Sequence, residues 1–144
     1  MSDESEIIAL VNRYAFLLDD GDIDGVAALF EDATWRSDRS DVVRRGASEV
    51  RPVYEQLVAG AGESSTRHLL TNLSVTVAPD AVSASARCYW TVLSADGGDH
   101  PIAVSLSGQY VDRFAKVDGR WRFADRLVTT DLGKSSPVRP PDFG

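Results

Sequence analysis

Apolar residues recur at spacings of three and four through the first part of the chain and at spacings of two afterwards, a pattern that predicts helices first and strands later. Between Asp3 and Leu18, the residues Ile7, Leu10, Val11, Tyr14 and Leu18 fall on one face of a helix. Asp3 and Glu6 form a capping pair at its start, and Asp19-Asp20-Gly21 ends it. Asp22 then caps a short second helix carrying Ile23, Val26, Ala27 and Phe30. Ala33 to Asp41 reads as a short strand followed by a charged loop. Ser48 caps a third helix that turns Val50, Val53, Tyr54, Leu57 and Val58 inward, with Pro52 tolerated in its first turn and Gly60-Ala61-Gly62 as its end.

From Thr66 the period becomes two. Strands are predicted over Thr66 to Ala78, Ala81 to Ala95, Ile102 to Val117 and Arg120 to Thr130. Pro79-Asp80 and Asp118-Gly119 mark hairpin turns, the second because Asp-Gly readily supplies positive φ, and Asp96 to Pro101 connects the middle pair. Helices followed by a long meander imply an α+β domain, with helices packed on one face of a curved, mainly antiparallel sheet and room for a pocket between them. That domain is expected to run over residues 1–134, with the Pro-rich stretch 135–144 as an irregular tail.

Composition narrows the partners. The 144 residues carry 15 Lys plus Arg against 22 Asp plus Glu, a net charge of −7 that argues against a nucleic-acid partner. It also disfavours anionic substrates unless a local cation compensates. The single cysteine, Cys88, permits no internal disulfide, and its strand-like neighbourhood makes it a small buried hydrophobe. The acidic start lacks a signal-peptide pattern and no apolar run approaches the roughly 20 residues of a spanning helix, so a cytoplasmic protein without a membrane partner is expected. His68 and His100 are the only histidines and show no metal-ligand spacing; Gly97-Gly98 lacks the helix a phosphate loop needs; no Gly-x-Ser-x-Gly elbow occurs. Neither a metal nor an organic cofactor is expected.

Several motifs carry a resemblance. The run Arg13-Tyr14-x4-Asp19-x-Gly21-Asp22-x-Asp24-Gly25-x-x-Ala28-Leu29-Phe30, then Thr66-Arg67-His68-x3-Asn72, Gly108-x-Tyr110-x-Asp112-Arg113-Phe114 and Asp118-Gly119-x-Trp121-x-Phe123-x-x-Arg126 resemble the cone-shaped α+β family named after nuclear transport factor 2. Within it they resemble the SnoaL-like branch of polyketide cyclases, scytalone dehydratase and bile-acid dehydratase, beside ketosteroid isomerase. The resemblance covers the chain to about Asp131 and implies homodimerisation through the exposed sheet face. It places the dehydratases' Asp and His on Asp19 and His68, the bile-acid enzyme's Tyr and Arg on Tyr14 and Arg126, and the isomerase's second acid on Tyr110. The isomerase's base falls on Ser37, with Asp38 beside it.

Each position has two readings. His68, oriented by Asp19, is a candidate general base; alternatively it is a satisfied strand residue and Asp19 a helix-end acid. Tyr14 donates to a developing enolate oxygen, or packs in the core stripe to which it belongs. Five residues along a helix turn by about 140°, so Tyr14 and Asp19 converge only through curvature or the helix end. Arg126 holds a substrate oxygen by a bidentate fork, or pairs with Asp112 or Asp125 at the surface. Tyr110 is a second donor or a core residue. Asn72, four residues beyond His68 on the same face of the strand, supplies a polar pocket contact. Trp35, Trp90 and Trp121 are core residues or, where they face a cavity, platforms for a flat ligand. The function expected is a cofactor-independent lyase or isomerase (dehydratase, double-bond isomerase or aldol-type cyclase) acting on a hydrophobic cyclic carbonyl compound, polyketide-like or steroid-like. The alternative is a non-catalytic ligand-binding or subunit-assembly module.

Overall fold

Ser2 rather than Asp3 starts the first helix, α1 (Asp3–Asp19), its hydroxyl accepting the Ser5 N–H at 3.1 Å. Asp3 is used elsewhere: its carboxylate accepts from Trp121 Nε1 at 2.9 Å and Lys116 Nζ at 3.0 Å, which ties the helix start to the last hairpin. Helix α2 (Ile23–Leu29) begins as expected at Asp22, which accepts the Gly25 N–H at 2.9 Å. Strand β1 (Thr34–Ser37) is followed by a second strand, β2 (Ser40–Arg45), which begins inside the expected charged loop and runs on through residues 42–45, for which no element was predicted. The polar run Ser40-Asp41-Val42-Val43-Arg44-Arg45 lacks alternation and forms a strand only because β1 offers it an edge. Helix α3 (Gly46–Ala61) starts ahead of Ser48; Glu49, one position beyond the place of a capping-box acid, accepts the N–H of the N-cap residue Arg45 at 2.6 Å. Pro52 therefore stands in the second turn, where its ring removes the donor the Ser48 carbonyl would have met.

The computed structural model describes residues 1–62, 65–95 and 101–133, so most of the expected 96–101 connection and the Pro-rich tail lie outside the described residues. The remaining strands form the expected meander: β3 (Ser65–Val77), β4 (Ser83–Ala95), β5 (Ala103–Val117) and β6 (Arg120–Gly133). The six-stranded sheet has the order β2-β1-β6-β5-β4-β3, antiparallel except where β1 runs parallel to β6. Asp118 and Gly119 take φ of 51° and 77°, the primed turn that matches strand twist. The helices cover one face, and Phe30, Phe114 and Phe123 fill the solid part of the core at centroid separations of 5.0 Å.

Two irregularities shape the hollow part. Between Thr71 and Ser74 the β3 ladder slips, and Asn72 takes a left-handed φ of 56°. This bulge reverses the alternation: Thr66, His68 and Leu70 face inward before it, and Leu73, Val75 and Val77 after it. On β5, a Cβ at Gly108 would lie 1.9 Å from the Thr129 carbonyl oxygen and 2.7 Å from Trp90 Cζ2. Only glycine lets β6 and the Trp90 ring approach so closely.

Candidate active site

β3 is the last strand of the sheet, so the His68 N–H directed away from β4 needs a partner outside the ladder. Asp19, at the end of α1, supplies one: its carboxylate oxygens accept that N–H at 3.0 and 3.1 Å. The same Oδ1 lies 2.7 Å from His68 Nδ1. The pair is largely shielded, with side-chain exposures of 14% for His68 and 19% for Asp19. A carboxylate can only accept, so Nδ1 carries the hydrogen, and it is the neutral imidazole that offers a lone pair at Nε2. The helix end resolves the 140° problem. Tyr14 projects from the inner face of α1, whereas Asp19 reaches the sheet edge from the last residue.

His68 lines a cavity of about 400 Å³ between the helices and the sheet. Its inner wall is aromatic: Tyr14, Trp35, Tyr54, Trp90 and Tyr110 all line it and are at most 8% exposed. Tyr14 Oη lies 3.0 Å from Tyr54 Oη and 3.3 Å from Tyr110 Oη, and Trp35 Nε1 donates to Tyr54 Oη at 3.0 Å. Three phenolic hydrogens share two links, so whichever way the chain runs, one hydrogen remains for a bound acceptor. Trp90 stacks on Tyr110 at 6.0 Å and 24° and makes that wall flat. Gln56 and Leu57, both exposed, form the rim. Sequence reasoning missed Tyr54. Its position on the aliphatic stripe of α3 marked it as core, and the one signal was a hydroxyl among Val50, Val53 and Leu57.

Arg126 does not reach this cavity. It is 0% exposed and forks to Asp112, Nε and Nη2 each donating at 2.8 Å to a different carboxylate oxygen. The alternative partner Asp125 is occupied by Arg36 at 2.7 Å and by Thr34. The Arg126–Asp112 pair is therefore internal rather than at the surface, and a substrate fork by Arg126 is ruled out in this arrangement. Its guanidinium carbon lies 3.8 Å from the Tyr110 ring centroid and 4.1 Å from that of Tyr14, behind the phenols. Burial pushes the Asp112 carboxyl up against the pull of Arg126, and burial opposes the Arg126 charge, which the carboxylate outweighs. Two donors facing two oxygens decide for the ionised pair. Asn72 is also outside. The bulge breaks the shared face, leaving its side chain exposed. Of the neighbouring residues, Ser37 lines the cavity, but the Asp38 carboxylate accepts the Thr130 N–H at 3.3 Å from each oxygen, so no carboxylate base enters from that loop. Among the described residues, no group of three or more His, Cys, Asp or Glu could hold a metal ion, and no helix is long and apolar enough to cross a membrane.

Burial holds the Tyr14, Tyr54 and Tyr110 phenols above their ordinary range, with Arg126 pulling each back in part. Unfolded tyrosines ionise near pH 10 while these keep their hydrogens, so the native state binds more protons there and stability falls as pH rises. The slope is up to about 4 kcal/mol per pH unit for three phenols. The Cys88 thiol, pushed up by burial to about 11, adds in the same direction. Urea unfolding at about pH 8, 9 and 10.5 will show this loss, and Tyr54→Phe will make it shallower. A flat profile would mean that the phenols ionise freely in the fold.

Comparison with known proteins agrees with this fold. The family model described as SnoaL-like domain matches residues 1–127. No curated protein matches the chain. Among solved structures, Rv3472 of Mycobacterium tuberculosis, described as function unknown, is 29% identical, with a TM-score of 0.76 over 98% of this chain and 82% of that one. A Novosphingobium aromaticivorans protein provisionally named a scytalone dehydratase is 25% identical, with a TM-score of 0.76 over 95% of this chain and 89% of that one. A second protein of that organism, described as nuclear-transport-factor-2-like with a cystatin-like fold, is 21% identical, with a TM-score of 0.75 over 96% and 88%. The α+β architecture expected from the sequence is the one these structures share.

Proposed function

The chain belongs to the SnoaL-like domain family, and from that premise we propose a cofactor-independent enzyme of the polyketide cyclase and dehydratase type, acting on a hydrophobic cyclic carbonyl compound. The observation that carries this reading is the 2.7 Å contact between Asp19 and His68 Nδ1 in the wall of an aromatic cavity. His68 Nε2 takes a proton from the carbon beside a carbonyl, and the electron pair moves to the carbonyl oxygen, where the spare phenolic hydrogen of the tyrosine cluster stabilises it. In a dehydration the enolate collapses to a carbon–carbon double bond, the β C–O bond breaks, and the proton held by His68 leaves with hydroxide as water. In an aldol closure the same carbon attacks a second carbonyl, and the proton goes to the new alkoxide. Either outcome uses one base and one oxyanion site.

A non-catalytic binding or assembly module of this fold would need no such pair, and the observed bond favours the enzyme. The experiment is hydrogen exchange. With a cyclic ketone such as tetralone in deuterium oxide, the protein accelerates deuterium entry beside the carbonyl, followed by NMR; if no cyclic ketone exchanges faster than in buffer, the reading fails. The reading includes a homodimer through the outer sheet face, where Leu69, Tyr89 and Val111 are 38%, 41% and 41% exposed. Sedimentation of the full chain at twice the monomer mass is expected, and a monomer at micromolar concentration would remove the dimer.

A further inference from the structure

Asp112 and Arg126 face each other across the β5–β6 ladder, one inward position beyond Tyr110 and Val128. From that rung the guanidinium is enclosed by rings: its carbon lies 3.8 Å from the Tyr110 centroid, 4.1 Å from Tyr14, 5.0 Å from Phe123 and 5.6 Å from Phe30. Asp112 engages Nε and Nη2, whereas Nη1 is sealed from water and has no hydrogen-bond acceptor among the described residues, so the charge left over by the carboxylate falls on ring faces. Two of those rings, Tyr14 and Tyr110, also line the cavity, and their oxygens lie 3.3 Å apart. The same phenols thus have a cation on one side and the substrate space on the other. Packing alone does not call for this arrangement, because apolar groups of similar volume fill a core as well as a buried ion pair.

We propose that Arg126 is a positioning residue of the oxyanion site, a fixed cation that strengthens the hydrogen bond from the Tyr14 and Tyr110 phenols to a substrate oxygen as that oxygen becomes negative. This rests on the reading of the cavity as the place where an enolate forms. A cation against the ring face draws electron density from the phenol and makes its O–H the better donor, and the effect is large where water cannot screen it. Burial raises both phenols and Arg126 pulls them part of the way back, so they keep their hydrogens and donate rather than ionise. A guanidinium holds its charge at every working pH, which makes the assistance permanent. Arg126 thus acts on the substrate oxygen through tyrosine and not by the direct fork the sequence suggested.

The ionisation of a bound phenol tests this without turnover. Difluorophenol with both fluorines beside the hydroxyl ionises near neutral pH, and fluorine NMR reads the charge on the bound form. Arg126→Met combined with Asp112→Leu raises the midpoint of the bound phenol by about one pH unit, a tenfold loss in the stability of the bound anion. Asp112→Asn leaves the cation and removes the opposing anion, and it moves the midpoint down. The other charged or titratable groups that line the cavity, Arg39, Tyr54 and His68, are the same in all three proteins. Shifts of opposite sign are what a merely structural pair does not produce. An unmoved or lowered midpoint in the double variant, an unmoved or raised one in folded Asp112→Asn, or failure of difluorophenol to bind the wild type would each overturn the proposal. Should Asp112→Asn fail to fold, the double variant decides alone. Loss of hydrogen exchange with these shifts intact removes the proposed reaction and leaves the role of Arg126 standing.

Discussion

Substituting Arg126 with methionine is expected to destabilise the domain by about 3–5 kcal/mol, a large share of the 5–15 kcal/mol that holds an ordinary domain together. The side chain is sealed from water, so what the substitution leaves is the Asp112 carboxylate, 1% exposed and stripped of its two 2.8 Å donors. The Tyr14 and Tyr110 rings also lose the charge packed against their faces. Chemical denaturation near pH 7 measures the loss. It should shrink as pH falls, because the orphaned Asp112, already pushed up by burial, then takes a proton and ceases to be a buried charge. The double variant Arg126→Met with Asp112→Leu should recover most of it, since replacing a whole buried pair by apolar groups is close to neutral. If the single and double variants are equally unstable, the cost belongs to the lost ring packing and not to the abandoned carboxylate.

His68→Ala is expected to lower the hydrogen-exchange rate by about 10²–10⁴-fold while changing ligand affinity little, because a general base acts only in the transition state. Asp19→Asn should lose nearly as much. Its amide oxygen can still accept the His68 N–H and keep the sheet edge closed, but its NH₂ would donate to Nδ1, which puts the hydrogen on Nε2 and removes the lone pair that takes the substrate proton. Matching circular dichroism for the two variants separates this from unfolding. Wild-type exchange rates in both would discard the dyad.

The meander and the first two helices were legible because their periods, turn residues and the Asp22 cap all agree. The site was legible in part. The pairing of Asp19 with His68 came from the resemblance of the motifs, since residues 49 apart share no local period. Arg126 and Asp112 were recognised as possible partners, but their burial was not: the extra residue Ala124 in β6, opposite Arg113 and Phe114, shifts the β6 alternation and turns Arg126 inward, whereas Asp112 keeps the inward parity of Tyr110 and Phe114 and was placed at the surface on its charge alone. Asn72 misled through a shift of the same kind. An asparagine reads as polar on whatever face parity assigns it, and the left-handed φ it tolerates is what cancels that parity. Ser48 and Asp3 were sound capping residues on chemistry; the chain took Arg45 and Ser2 as caps because the contacts of Glu49 with Arg45 and of Asp3 with Trp121 and Lys116 fix where each helix starts.

The slip at Asn72 makes β3 a strand whose length matters more than its spelling. His68 and the apolar trio Leu73, Val75 and Val77 face the same interior only because one extra residue stands between them. Removing a single residue from the span 71–73 would leave every other side chain chemically intact, yet it would send either the imidazole or the trio to the outer face. Homologous chains should therefore vary freely in which residues occupy the slip, and an insertion or deletion there should be tolerated only when paired with a second one that restores the count.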